Sequence, residues 1–453
     1  MSRWLILVLL TLAAAVGAGV YIVRQMLPPE AAPGALDRTH AELVDRFLDH
    51  LDAGDFDAAW DMFAPVTREA LPPEQLARVW QSLPDQLGAR SRRGAPRGET
   101  VEGEPVTTVP LSYGLMTLDA RIHFDPQDRI DGFLMVPARS DAPAAVPVSN
   151  DRFGEFERVV ESEGRAALAA TLTLPRGVEA PPVVVLVHGS GPHDRDQSIG
   201  PNRPFRDIAH GLAERGIATL RYDKRSKADP GAFSGAFTVD LETVDDAVAA
   251  VAMLHGEDGV DGNRVFVLGH SLGAMMAPRI AGRTPVAGLV LMAPPASALQ
   301  DLVMAQVGYL AGLDGEVDDA ERKSIDALAA QRDALALLDP AQPGKEAMLG
   351  LPAAYWLDLA GYDPLAAAGA LAVPMLVLHG ARDYQVTDAE FQRWRAAFAD
   401  SSRVELRQYP ALNHLFIAGQ GPGKPAEYGV QGRVEAQVIE DIADWIGTAH
   451  DAH

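Results

Sequence analysis

Gly269-His270-Ser271-Leu272-Gly273 stands between an apolar run, Val265 to Leu268, and a small-residue stretch that continues to Ile280. The run reads as a buried strand, bounded upstream by the turn residues Asp261-Gly262-Asn263, and the stretch after it as a helix. Strand, sharp turn and helix form the context that a G-x-S-x-G nucleophile turn requires. A side chain at position 269 or 273 would collide with such a turn, which explains the two glycines. The turn lifts Ser271 above the sheet at a helix N-terminus, where backbone N–H groups and the helix dipole face a developing negative charge. The competing reading is a plain Gly-Ser connection, so the rest of the chain must decide.

From Phe153 onward strands and helices alternate, which implies a mostly parallel sheet with helices on both faces. Segments Phe156 to Val160 and Ala166 to Leu174 read as an antiparallel leading hairpin. Strands follow at Val183 to His188, Ala218 to Tyr222, Leu289 to Met292, Met375 to Leu378 and Val404 to Tyr409. Helices are expected at Phe205 to Arg215, Asp240 to Leu254, Asp388 to Phe398 and Val434 to Ile446, with Thr387 and Glu390 as a capping box. Residues 299–362 are Ala- and Leu-rich without a strand, and read as a helical cap inserted between two strands. Leu302, Val303, Val307, Leu310 and Tyr355-Trp356-Leu357 are its candidate acyl-pocket residues.

Three features meet the turn. His188-Gly189-Ser190-Gly191 ends an early strand, and Gly189 lets the backbone turn back so that the Ser190 N–H points beside that of Leu272. Asp383 lies four residues beyond the strand-ending His379, where a carboxylate can orient an imidazole. His414 follows the next strand, before the last helix. Asp388 is the nearest alternative acid.

On these residues the region from about Phe153 to Gly447 resembles the α/β-hydrolase superfamily, most closely bacterial carboxylesterases and prolyl-oligopeptidase-type serine peptidases. The order Ser, Asp, His is that of the superfamily. The resemblance implies Ser271 as nucleophile, His414 as base, Asp383 as its orienting acid, and the N–H groups of Ser190 and Leu272 as oxyanion donors. It implies a small-molecule substrate, a small or medium acyl ester, with no metal or organic cofactor. A peptidase or thioesterase with the same triad is the alternative, and a catalytically inactive, membrane-tethered binding protein the alternative of another class. Gly191 to Gln197 offers His193, Asp194 and Asp196 as metal ligands, but is read here as a hydrogen-bonded loop against Tyr222-Asp223-Lys224-Arg225.

Residues 37–140 read as a small α+β domain, helices first and a meander after, resembling the small cystatin-like or nuclear-transport-factor-like domain, of no assigned function, that precedes some bacterial serine hydrolases. Its Gly88 to Gly98 stretch, with Arg90, Arg92, Arg93 and Arg97, reads as a solvated loop, and His123 as structural. Residues 28–36 and 141–152 read as linkers, leaving 153–450 to the hydrolase domain. A net charge of −23 argues against nucleic acid as a partner, and the absence of cysteine excludes disulfides and thiolate chemistry.

Residues 1–27 contain an uncharged run from Trp4 to Val23, long enough at about 1.5 Å per residue to cross a bilayer. It reads as a signal anchor, with a cleaved signal peptide as the alternative. The expected location is therefore the membrane, facing the periplasm or exterior.

Overall fold

The computed structural model describes residues 32–87, 89–101, 103–113, 117–138, 147–313, 315–317 and 319–448. The apolar run 4–23 lies outside the described residues. Among them, no helix is long and apolar enough to cross a membrane.

Residues Ala32–Pro33 form a short edge strand, β1, paired antiparallel with Glu99 and Thr100. The stretch read as a linker is thus partly sheet, at an edge where proline is tolerated. Helix α1, Arg38–Ala53, starts at Asp37, whose side chain accepts from the N–H groups of Thr39 and His40. It stops at Gly54, in the left-handed region at φ 75°. Val44, Phe47, Leu48 and Leu51 recur at helical spacing and are buried. Two short helices, Phe56–Asp61 and Pro65–Ala70, lead to α2, Pro73–Leu87.

The Arg-rich stretch is not a solvated loop. It forms strands β2, Arg90–Arg93, and β3, Arg97–Val101, which both pair with β4, Glu104–Tyr113. The reason is an acidic stripe on α1. Arg90 meets Asp52 at 2.6 Å, and Arg93 meets Asp45 and Asp49 at 2.6 Å each. Strands β5, Thr117–Phe124, and β6, Ile130–Pro137, complete the antiparallel sheet. His123 pairs with Asp131, in keeping with a structural role.

The second unit has an eight-stranded sheet. Strands β7, Phe153–Val160, and β8, Leu168–Pro175, form the leading hairpin. Then come β9, Val183–Val187, helix α3, Pro204–Ala213, and β10, Ala218–Tyr222. A π-helical turn, Asp240–Val244, opens the long helix, so only Asp245–Leu254 is regular α-helix, α4. Strand β11, Val265–His270, and helix α5, Leu272–Ala281, flank Ser271. Strand β12, Gly288–Met292, precedes the cap helices α6, Leu299–Ala311, α7, Asp319–Ala334, and α8, Ala353–Ala360. Strand β13, Met375–Gly380, helix α9, Asp388–Ala397, strand β14, Val404–Tyr409, and helix α10, Ala436–Thr448, close the chain.

The spatial order is β14-β13-β12-β11-β9-β10-β8-β7. Pairing is parallel from β14 through β10 and antiparallel for β10 with β8 and β8 with β7. The central strands are buried on both faces, which is why they are Val- and Leu-rich runs without alternation. Strand β9 lies between β10 and β11, so the connections diverge at its carboxyl end. In open parallel sheets, ligands bind at such a switch point.

Candidate active site

Ser271 sits between β11 and α5 at φ 56° and ψ −119°, a backbone conformation that costs a non-glycine residue about 1–3 kcal/mol. Its N–H is tied to the Met292 carbonyl at 2.9 Å, and its carbonyl accepts from the Met275 N–H. The flanking glycines are sterically required. A Cβ on Gly269 would lie 2.3 Å from the Gly273 carbonyl oxygen, and one on Gly273 would lie 2.2 Å from that of Val187. The turn is therefore pressed onto the end of β9.

Asp383 lies in the turn after β13. Its Oδ1 accepts from the N–H groups of Gln385 and Val386, at 2.8 and 3.0 Å. Its Oδ2 accepts from His414 Nδ1 at 2.6 Å. Both side chains are buried. The close approach of the two loops needs Gly380, where a Cβ would lie 2.4 Å from the Leu412 carbonyl oxygen. His414 is further held by its neighbours. Asn413 Oδ1 accepts from Leu415 and Ile417 N–H, and His270 Nε2 donates to the His414 carbonyl at 2.8 Å. The His270 and His414 rings lie 4.5 Å apart, centre to centre, which puts His414 against the residue preceding Ser271.

The loop after β9 packs on the same turn, since a Cβ on Gly189 would lie 3.2 Å from Ser271 Cβ. Three side chains fix it. Gln197 Oε1 accepts from the Gly189 N–H at 3.0 Å, Lys224 Nζ donates to the Gly189 carbonyl at 2.7 Å, and His193 Nε2 donates to the Ser190 carbonyl at 2.6 Å. Gln197 Nε2 also donates to His270 Nδ1 at 2.8 Å. Gln197 is buried and holds a positive φ of 51°.

Burial keeps His188, His193 and His270 neutral. Desolvation, with the neighbouring His414, holds His270 well below its ordinary value. Desolvation, with His193 and Lys224, does the same to His188. Desolvation and Lys224 bring His193 down to about 4. Neutral His270 can accept at Nδ1 while donating at Nε2, as its two bonds require.

The Gly191 to Gln197 stretch is the hydrogen-bonded loop that its sequence suggested. Arg195 pairs with Asp223, Asp196 with Arg221, and the His193 carbonyl accepts from the Lys224 N–H. Asp194 caps its own turn through Ser198. Among the described residues no group of His, Asp and Glu could hold a metal ion.

Beneath the cap, Ser190, Gly191 and Glu242 share a small pocket with Leu299, Val303, Leu349, Leu351, Tyr355 and Trp356. Val303, Tyr355 and Trp356 are therefore lining residues as expected. Leu302 and Val307 share the main core with those three but do not line the pocket, Leu310 packs by Tyr384 and Tyr428, and Leu357 does not line the pocket either. The capping box at Thr387 is a further correction. Thr387 makes no side-chain cap bond, and Glu390 instead accepts from the N–H groups of Ala296 and Ser297 and from the Ser297 hydroxyl. A buried carboxylate there satisfies the backbone at the cap's entrance, which outweighs one cap bond. Asp388, the alternative acid, is held by Gln408 and Gln392 on the surface.

Gln197, Lys224 and Glu242 escaped assignment from sequence. Gln197 and Lys224 lie in the two stretches expected to pack together, and that adjacency was their available signal. Glu242 gave none.

A profile of the family described as "Serine aminopeptidase, S33" matches residues 179–419, and one of a family of unknown function (DUF3887) matches residues 44–133. Esterase EstD of Thermotoga maritima is 35% identical over 414 residues, covering 88% of this chain and 93% of that protein. Among solved structures, Est1E from Butyrivibrio proteoclasticus aligns with a TM-score of 0.42 at 18% identity, over 65% of this chain and 99% of that one. An esterase from Pyrobaculum calidifontis aligns with a TM-score of 0.41 at 18% identity, over 66% of this chain and 86% of that one.

Proposed function

The chain belongs to the serine aminopeptidase family of α/β-hydrolase serine hydrolases, and from that premise we propose that it cleaves carboxylic esters with Ser271, His414 and Asp383 as its catalytic triad. The observation that carries the reading is the buried 2.6 Å bond from His414 Nδ1 to Asp383 beside the strained turn that holds Ser271. Similarity to an esterase along most of the chain supports the ester bond as its target.

In this mechanism Ser271 Oγ attacks the ester carbonyl carbon while its proton passes to His414 Nε2. Asp383 holds the Nδ1–H tautomer and stabilises the imidazolium. The N–H groups of Ser190 and Leu272 receive the negative oxygen of the tetrahedral intermediate, one such donor being worth roughly 3–4 kcal/mol. As the intermediate collapses, the carbon–oxygen bond to the alcohol breaks and His414 returns the proton to the departing alkoxide. Water then repeats the sequence on the acyl-enzyme and releases the acid and Ser271. None of these steps calls on a metal or organic cofactor.

The apolar wall of the cap pocket suits the acyl group of a small ester. The family description favours one second reading, hydrolysis of an amide or aminoacyl bond by the same triad. Turnover by the purified full chain on matched esters, thioesters and aminoacyl amides separates the two. Ester preference supports the proposal, and a preference for amides by kcat/KM overturns it.

We also propose that the apolar segment 4–23 tethers an exported chain, with both folded units outside. Arg3 and the terminal amine before the segment outweigh the single Arg24 just after it, a slight bias for an inward N-terminus. Protease added to spheroplasts should digest the folded units. A mature N-terminus between Val16 and Val20 would replace the anchor by a cleaved signal.

A further inference from the structure

The Gly189–Ser190 peptide carries two groups that matter. One is the Ser190 N–H, an oxyanion donor in the proposed mechanism. The other is the Gly189 carbonyl oxygen, which accepts from Lys224 Nζ at 2.7 Å. We propose that Lys224 is a positioning residue for the oxyanion site. Its ammonium fixes the plane of this peptide and polarises it, so that the Ser190 N–H meets the negative oxygen of the tetrahedral intermediate. The inference rests on the assignment of that N–H as a donor.

The amide is one conjugated unit, so a positive charge on its oxygen draws electron density from its nitrogen and strengthens N–H donation. Each peptide around Ser190 is held by a buried or half-buried side chain: Gln197 at the Gly189 N–H, Lys224 at the Gly189 carbonyl, and His193 at the Ser190 carbonyl. Only Lys224 brings a full charge, and it does so at the peptide that bears the donor. A neutral group would suffice merely to cover a carbonyl, and burying an ammonium is costly.

That cost is offset by a dedicated partner. Lys224 is 2% exposed, and its Nζ also lies 2.7 Å from Glu242 Oε1. Glu242 stands in the π-helical turn, the kind of local widening that recurs at functional sites. Its Oε2 accepts from the Tyr355 hydroxyl at 2.7 Å, and Tyr355 belongs to cap helix α8. Glu242 and Tyr355 both line the cap pocket. The line of contacts runs from pocket wall to oxyanion peptide: Tyr355, Glu242, Lys224, Gly189. The groups facing the ammonium are Glu242, His188 and His193, and burial keeps both histidines neutral.

The test uses the full chain, an activated short-chain ester and a trifluoromethyl ketone, which adds reversibly to a serine nucleophile as an oxyanionic hemiketal. Lys224→Met removes the ammonium, and Lys224→Met combined with Glu242→Gln leaves no unpaired buried charge while retaining a partner for Tyr355. In the folded variants kcat should fall about 10- to 100-fold with KM within about threefold of the parent, and ketone affinity should fall in parallel. A folded variant that keeps parental kcat and ketone affinity overturns the inference. So does a fall in kcat with ketone affinity retained, and so does failure of both variants to fold, which would make Lys224 a structural residue only. If the parent forms no hemiketal at Ser271, the proposed triad and oxyanion site fail themselves. If the parent forms one and the variants match it, only the role of Lys224 fails.

Discussion

His270 Nε2 donates to the backbone carbonyl of His414 at 2.8 Å. The residue that precedes the turn serine thereby holds the loop that carries the imidazole. Its other nitrogen accepts from Gln197, whose amide oxygen in turn accepts from Gly189. One buried side-chain chain thus spans the loop after β9, the serine turn and the histidine loop, which lie on three separate connections of the sheet. The proposed triad needs its groups held to within about 0.5 Å, and these bonds tie together the loops that carry it.

Ser271→Ala should abolish ester hydrolysis while leaving unfolding by urea within about 1 kcal/mol of the parent. Oγ is not core packing, and alanine keeps the same backbone, strained φ included. A serine-directed phosphonate should label the parent at Ser271 and leave the variant unlabelled. Parental turnover in the purified variant would remove Ser271 as nucleophile.

Asp383→Asn should keep Oδ1 as acceptor for the Gln385 and Val386 N–H groups, so the turn survives. The amide that replaces Oδ2 would donate to His414 Nδ1 and select the wrong tautomer. By the serine-protease template the loss in kcat is on the order of 10⁴. A loss under about tenfold in steady-state kinetics would point to another acid.

Gln197→Ala should strand the Gly189 N–H and His270 Nδ1 in a buried setting, while alanine still has to hold the positive φ. The stability loss should be about 2–4 kcal/mol by urea unfolding, and kcat should fall at least about tenfold. Equal stability and turnover would show that the relay is dispensable.

The fold was legible because both its signals are local. Strands such as Ala218–Tyr222 and Val404–Tyr409 begin and end as short apolar or alternating runs with turn residues beside them. Ser271, Asp383 and His414 each follow a strand, as the sequence suggested, and strand ends in a parallel sheet converge on one rim, which is the basis for proposing them together. The Arg-rich stretch misled because its partners, Asp45, Asp49 and Asp52, lie about forty residues earlier on α1. Glu390 misled for the same reason: a local motif competed with a distant buried backbone, and the backbone won. Gln197, Lys224 and Glu242 are polar residues whose burial is decided by three different loops meeting, and no periodicity records that.

Val303→Ala should enlarge the cap pocket and shift the preferred acyl chain to greater length while sparing the shortest ester, since Val303 lines that pocket together with Ser190 and Tyr355. Leu302→Ala is the contrast. Leu302 is buried in the same core as Val303 but does not line the pocket, so its truncation should cost about 2–4 kcal/mol of stability without changing the order of substrates. Rates on a series of p-nitrophenyl esters check both. A uniform loss across chain lengths for Val303→Ala would make the pocket irrelevant to selection.

Acid should weaken the fold from about pH 6.5 downward. Desolvation and the nearby Lys224 bring His193 from its ordinary 6.5 to about 4. Between those two pH values the unfolded chain binds a proton that the folded chain refuses, so stability is complete above about 6.5 and is lost as pH falls toward about 4. At about 1.4 kcal/mol per unit, His193 alone is worth on the order of 3 kcal/mol across that window. His188 and His270, held well below 6.5 by desolvation, act in the same direction. Glu155 acts elsewhere: against the desolvation of burial, His210 and Arg221 hold it below its ordinary 4.5, so its contribution is lost only at lower pH. Asp119, Asp196 and Asp207, whose carboxyls desolvation raises, act in the opposite direction, so urea midpoints measured from pH 7.5 to 5 report the histidines' loss less that gain. His193→Gln keeps a donor for the Ser190 carbonyl and cannot titrate, so its midpoint should fall less steeply over that range. A variant whose pH curve runs parallel to the parent's would show that His193 is not among the groups responsible.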